Sequence, residues 1–255
     1  MQIISIINKK GGCGKTTSAI QLAAGLSLQN YKVLAIDMDE QGNLTSTSHG
    51  EKGAVGIFDV LTGKEDINNT IQDGIVNYDF IAGDSRLSEL DVILTKTGRE
   101  YKLKKAISKL DRDYDFVIID NPPSLGIAVT NSLTASNGAI ITVQADSYNI
   151  EGLMAVSDFI NDIVEYCNPE LKILGILLTR YNPRIKLNQY IFEQFTKIAE
   201  AINTRVFKTF IRQSNSINQA QAHKMNIFDF DKKSNGALDY KAFIDELLHF
   251  QTNDV

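Results

Sequence analysis

Short apolar runs alternate along the chain with longer segments in which apolar and polar residues recur at helical spacing. The runs QIISII (2–7), KVLAID (32–37), YDFIAG (78–83), DFVIID (115–120), GAIITV (138–143) and KILGILLT (172–179) are rich in β-branched residues. Such near-continuous apolar runs are what strands buried on both faces require. Helical spacing covers 15 to about 28, 86–110 with a break near Thr97–Gly98, 151–166, 187–201 and 237–250. VFKTFI (206–211) reads as a last strand. The alternation predicts right-handed βαβ units and an α/β fold, with a mostly parallel twisted sheet and helices on both faces. Ligands of such sheets bind beyond the carboxyl ends of the strands, so the residues after each run are the candidates for chemistry.

Composition adds boundaries to this picture. The chain has 255 residues, only four prolines, no Ser/Gly-rich linker and no internal repeat, so residues 1–255 read as a single domain. No apolar run approaches the roughly 20 residues that span a membrane, and the N-terminal run reads as a strand, not a signal peptide. Cys13 and Cys167 are isolated and the three histidines are scattered, which gives no disulfide framework and no metal-ligand spacing. The cytoplasm is the expected compartment. A net charge of −5 argues against a uniformly basic nucleic-acid binder but leaves room for a local basic patch.

The chemistry concentrates in NKKGGCGKTT (8–17), which follows the first strand and opens the first helix. Gly11, Gly12 and Gly14 let backbone N–H groups turn inward around phosphate oxygens, and the helix N-terminus adds its positive end. Cys13 sits among them and fills a small apolar position. Lys15 is placed to bridge the β- and γ-phosphates, the Thr16 hydroxyl to ligate Mg²⁺, and Thr17 to donate to the α-phosphate. Where the common phosphate-loop pattern has an early glycine, this chain has Lys9, followed by Lys10.

This K-G-G-x-G-K-T form resembles the deviant Walker A motif of the ParA/MinD superfamily of P-loop ATPases. The resemblance implies ATP held between two subunits of a homodimer, with Lys10 touching phosphate across the interface. VLAIDMDEQGN (33–43) places Asp37 and Asp39 just beyond a strand. Two carboxylates there suit Mg²⁺ support and water positioning, although an Asp at a strand end also commonly caps a turn. The segment resembles the family's D-x-D-P-Q-G-N with Glu40 for the proline, which implies that Asp39 orients the attacking water and Asp37 supports Mg²⁺. DFVIIDNPPSLG (115–126) ends an apolar run in Asp120, the place of a carboxylate that holds a Mg²⁺-bound water. It resembles the family's γ-phosphate-sensing loop, stiffened by Pro122 and Pro123.

GILLTRYNPR (175–184) and residues 206–237 resemble the family's later strands and C-terminal segment, against which adenine lies; no single base contact stands out. The resemblance covers essentially the whole chain and is closest to the small ParA/Soj-type partition ATPases, which lack the N-terminal DNA-reading extension of larger ParA proteins. It implies hydrolysis of ATP to ADP and phosphate, an ATP dimer that binds non-specific double-stranded DNA, nucleoid association in that state, and a ParB-like partner that stimulates hydrolysis. DNA binding needs cations on one face; the candidates are Arg180, Arg184, Lys186, Lys208 and Arg212, with Lys224 in addition, against the plainer reading of solvated charges. Ser216 stands where a Soj-type chain carries an arginine. The alternative is a MinD-like or other cargo-positioning ATPase acting on a membrane or protein surface. The terminal DYKAFIDELLHFQTNDV is mostly acidic, and its apolar residues are expected to pack a core face, which argues against lipid. The basic run LKKAISKLDRD (103–113) reads as the wet face of a helix.

Overall fold

The computed structural model describes residues 1–50, 53–73, 76–145 and 149–253. Their eight strands form one sheet in the order β3-β4-β2-β5-β1-β6-β7-β8. The strands are β1 (Gln2–Ile7), β2 (Val33–Asp37), β3 (Ile71–Gln72), β4 (Asp79–Ile81), β5 (Phe116–Asp120), β6 (Gly138–Gln144), β7 (Lys172–Tyr181) and β8 (Ile211–Arg212). Every pairing is parallel except β3 with β4, as the alternation of strands and helices predicts. β1, β2 and β5 are buried along nearly their whole length, which explains why their sequences show no polar alternation.

The helices are α1 (Lys15–Leu28), α2 (Asn43–Thr47), α3 (Ile57–Thr62), α4 (Leu90–Ile93), α5 (Lys102–Ile107), α6 (Ile127–Ala135), α7 (Asn149–Tyr166), α8 (Lys186–Ala201), α9 (Asn215–Ala222), α10 (Ile227–Asp231) and α11 (Asn235–Asn253). One sheet face carries α1 and α11 over Ile4, Ile6 and Ile118. The other carries α3, α5 and α6 over Ile36, Val117 and Ile119, continuing under α7 and α8. The result is one α/β domain. Helix α1 is buried on most sides because α11 covers its outer flank: a Cβ at Gly25 would stand 2.2 Å from Ile244 Cδ1.

Two expectations are corrected. Residues 206–211 do not form a full strand: Val206 makes a single bridge to Ile176, and only Ile211 enters β8. Between them the backbone N–H groups of Lys208 and Thr209 donate to the Glu246 carboxylate on α11, while the Phe207 ring turns in against Phe243. The span 86–110 is not one broken helix but two short helices, α4 and α5, each preceded by a 3₁₀ turn. Its break does fall at Gly98, whose φ of 82° is left-handed. Helix α6 has no counterpart in the sequence reading, because eight of its nine residues are buried and leave no amphipathic stripe to detect.

Candidate functional site

The strand order places β1 between β5 and β6, so the loop after β1 lies at the centre of the carboxyl edge. Asn8 starts the loop. Its amide donates to the Thr142 carbonyl on β6 at 2.5 Å, and its oxygen accepts from the Lys10 N–H at 2.9 Å. Gly12 and Gly14 take φ of 75° and 91°, a conformation that side chains resist. Gly14 is also the N-cap of α1. The loop is held from behind as well: Thr179 donates to the Cys13 carbonyl at 2.8 Å and Gln144 to the Gly12 carbonyl at 2.6 Å. Cys13 is fully buried with its thiol 3.1 Å from the Lys10 carbonyl, which is the packing role expected of it.

In front of the loop lies a cleft of about 610 Å³. Gly11, Gly12 and Gly14 to Thr17 line one wall. Asp39, Gln41, Asn43 and Pro123 border it on the β2–β5 side. Thr179, Arg180, Arg212, Gln213, Asn218 and Gln221 border it on the β7–α9 side. Lys15 is almost wholly buried and its ammonium donates to the Lys10 carbonyl at 3.3 Å, so its charge is held over the loop.

The three acids after β2 and β5 differ sharply. Asp37 is fully engaged: one oxygen accepts the Thr45 N–H at 2.8 Å and hydroxyl at 2.7 Å, and the other accepts the Asp39 N–H at 3.2 Å. Burial still pushes its carboxyl up to about 6. These bonds make Asp37 the anchor of α2, the turn-capping role that its place at a strand end also allows. Asp39 lines the cleft with one oxygen on the Gln41 N–H at 3.0 Å. Asp120 is fully buried and neither carboxylate oxygen accepts a hydrogen bond. Burial first, then repulsion from Asp37, raises its carboxyl well above the usual range; the nearby Thr16 hydroxyl and Lys15 ammonium only partly offset this.

Two further expectations change. Pro122 is buried and does not reach the cleft; its neighbour Pro123 does. Arg180 and Arg212 line the cleft and so are not simply part of an outer basic face. Arg212 is also clamped by Asp239, with its guanidinium at 2.6 Å, and that hydrogen bond holds its pKa above the ordinary value. Arg184, Lys186 and Lys208 are exposed and outside the cleft lining. Thr179, Gln213, Asn218 and Gln221 lie in the two segments that sequence reasoning set against the base without a single contact; folding brings all four to the cleft, and Thr179 and Gln221 to the loop itself.

A glycine loop at the carboxyl edge of a parallel sheet, a buried lysine and a bare buried carboxylate define a nucleotide-phosphate site of the P-loop class. The AAA domain family matches residues 1–173. The chromosome-partitioning ATPase Soj of Treponema pallidum is 35% identical over 244 residues, covering 95% of both chains. Among solved structures, the cobyrinic acid a,c-diamide synthase of Mycobacterium smegmatis, bound to ADP and magnesium, superposes with TM-score 0.86 at 30% identity, covering 100% of this chain and 97% of that one. A plasmid partition protein of Borrelia burgdorferi bound to AMPPNP gives 0.82 at 28%, covering 100% and 99%. The chain belongs to this family as a ParA/Soj-type ATPase.

Proposed function

We propose that the protein is a partition switch: ATP with Mg²⁺ closes a homodimer, the dimer binds double-stranded DNA without sequence preference, and a ParB-like partner stimulates hydrolysis and release. The observation that carries this reading is one cleft lined by both a complete phosphate loop and Asp39, with Lys10 at the loop's shoulder. A structure that only stored nucleotide would have no use for a water-positioning acid on the wall facing the phosphates.

A divalent cation fits beside Asp120, because a buried carboxylate with no hydrogen-bond donor calls for a positive partner. Among the described residues no cluster of three or more His, Cys, Asp or Glu is arranged to hold a metal. That matches Mg²⁺, which takes one or two protein ligands and completes its shell with phosphate and water. Thr16 would be the direct ligand and Asp120 the acceptor for its water, and the metal would supply charge neutralisation at the β- and γ-phosphates. Lys15 neutralises the same phosphates from the loop. Asp39 accepts a hydrogen bond from the water that attacks γ-phosphorus as the bond to ADP breaks. Lys10 of each subunit neutralises the partner's γ-phosphate, so two triphosphates can face each other without repulsion and the dimer depends on the triphosphate state.

Arg184, just before α8, and Lys186, its first residue, are the proposed DNA contacts, since both are exposed and lie two residues apart outside the cleft lining. A membrane target is not favoured: Ala237, Tyr240, Phe243, Ile244 and Leu247 of α11 are buried in the core shared with α1, so this apolar stripe is not available to lipid. The test is binding of Asp39→Ala to non-specific duplex DNA with ATP, ADP or no nucleotide at two salt concentrations. ATP-dependent, salt-sensitive binding is expected. A protein that dimerises with ATP yet ignores DNA would remove DNA from the reading and keep the switch.

A further inference from the structure

Thr17 ends the phosphate loop, and its hydroxyl is not alone. The Gln221 side-chain amide of α9 donates to Thr17 Oγ1 at 2.5 Å, across 204 residues of sequence, and both residues line the cleft. A hydroxyl has one hydrogen to give and two lone pairs to receive. With Gln221 donating into a lone pair, the Thr17 hydrogen stays available for an acceptor in the cleft, and accepting one bond strengthens its donation to the next.

The contact is part of a wider attachment. Along α1, Ser18 meets the Tyr240 hydroxyl at 3.1 Å and Gln21 accepts the Ile227 N–H at 2.8 Å. Thr17, Ser18 and Gln21 therefore tie α9, α11 and α10 to the helix that carries the phosphate loop. Ser18 and Gln21 are buried and lie outside the cleft lining, and Tyr240 borders the cleft but is buried too. Gln221 differs, because it is exposed and on the cleft wall.

We propose that Gln221 is a positioning residue for the nucleotide: by donating to Thr17 Oγ1 it aims the Thr17 hydroxyl hydrogen at the α-phosphate of a bound nucleoside di- or triphosphate. The inference rests on the nucleotide reading of the cleft. It assigns to α9 a share in nucleotide affinity that is equal in the ground and transition states, because the α-phosphate does not react. Gln221 should therefore act on KM and leave kcat in place.

The experiment measures binding of fluorescent mant-ADP, with Mg²⁺, to the full-length wild type, Q221A, Q221E, T17V and T17V/Q221A. Q221A should weaken binding about 3- to 10-fold, the size of one lost neutral hydrogen bond. Q221E should weaken it further, since a carboxylate takes the Thr17 hydrogen for itself and sets a negative charge beside phosphate. In the T17V background Q221A should change affinity by less than about 2-fold, because the two residues act as one unit. ATPase assays on Q221A should show raised KM with kcat unchanged. Equal or tighter binding by Q221A, Q221E no weaker than Q221A, or an undiminished Q221A effect in T17V overturns the proposal. A wild type that does not bind mant-ADP overturns the nucleotide reading itself, which separates the two failures.

Discussion

The two walls of the cleft are built by different means. The phosphate wall is a single stretch of backbone, Gly11 to Thr17, whose left-handed glycines at 12 and 14 turn the chain around a point in space. The opposite wall draws Thr179 from β7, Arg212 from β8, Gln221 from α9 and Tyr240 from α11, and its members act through side chains. A wall of backbone N–H groups is specified by local conformation and tolerates little change. A wall of side chains is specified by packing far away in sequence, and each member contributes a small, separable part.

Perturbations should follow that contrast in size. The largest effect is expected from Lys15→Ala, which removes the buried cation of the phosphate wall. Nucleotide affinity should fall by at least about 100-fold, in line with 3 kcal/mol or more for a charged hydrogen-bonding partner lost from a buried site; calorimetric titration with ADP would show it. Gly14→Ala comes next. Its φ of 91° is strained for alanine, and the new Cβ would lie 3.2 Å from Thr179 Cγ2. A loss of about 1–3 kcal/mol in stability is expected from denaturant unfolding.

Asp120→Asn sharpens the comparison, because it should act with opposite signs in the two states. Removing a buried charge that accepts no hydrogen bond should stabilise the nucleotide-free protein by about 1–3 kcal/mol. The same change should weaken Mg²⁺-nucleotide binding, so the melting shift on adding Mg²⁺-ATP should shrink. Greater stability without any loss of that shift would remove Asp120 from the metal's surroundings.

A pH dependence follows from the same carboxylates. Burial raises the Asp37 carboxyl from 3.8 to about 6. Between those values the folded protein holds a proton that the unfolded chain has released, so this group lowers stability as pH rises through the window. Asp120 is shifted in the same direction. Thermal unfolding of the nucleotide-free protein across the window should show this loss, and Asp120→Asn should flatten it.

The smallest effect belongs to the second wall. Asp239→Asn weakens a clamp on Arg212 that is itself 40% exposed. Solvent screening limits such a pair to about 0–1 kcal/mol, so unfolding should barely change. Any larger change in nucleotide affinity than in stability would show that the arginine on this wall serves the ligand.

Most of the sheet was legible because burial on both faces leaves a signature in each strand taken alone. β1, β2, β5, β6 and β7 are near-continuous apolar runs, and the structure places each within two residues of its expected span. The failures trace to what lies far away in sequence, as burial of all sides of α6 and distant partners elsewhere show. Residues 206–211 have the composition of a strand, but Glu246 on α11 takes the N–H groups of Lys208 and Thr209. Arg180 and Arg212 read as surface cations until the fold set them along the cleft. Pro122 and Pro123 are alike in sequence, and only the path of the loop decides which one faces the ligand space.

The sequence by itself determined the six apolar strands β1, β2, β4, β5, β6 and β7, the long helices α1, α7, α8 and α11, the glycine loop that opens α1, and the presence of acids at two strand ends, because each depends on neighbours within a few residues. Only the tertiary structure decided that Asp37 is engaged by Thr45 while Asp120 is left without a donor. It alone brought Gln221 to Thr17. Hydrogen-bond partners are chosen by distance in space, and a chain of 255 residues reveals those distances only once it is folded.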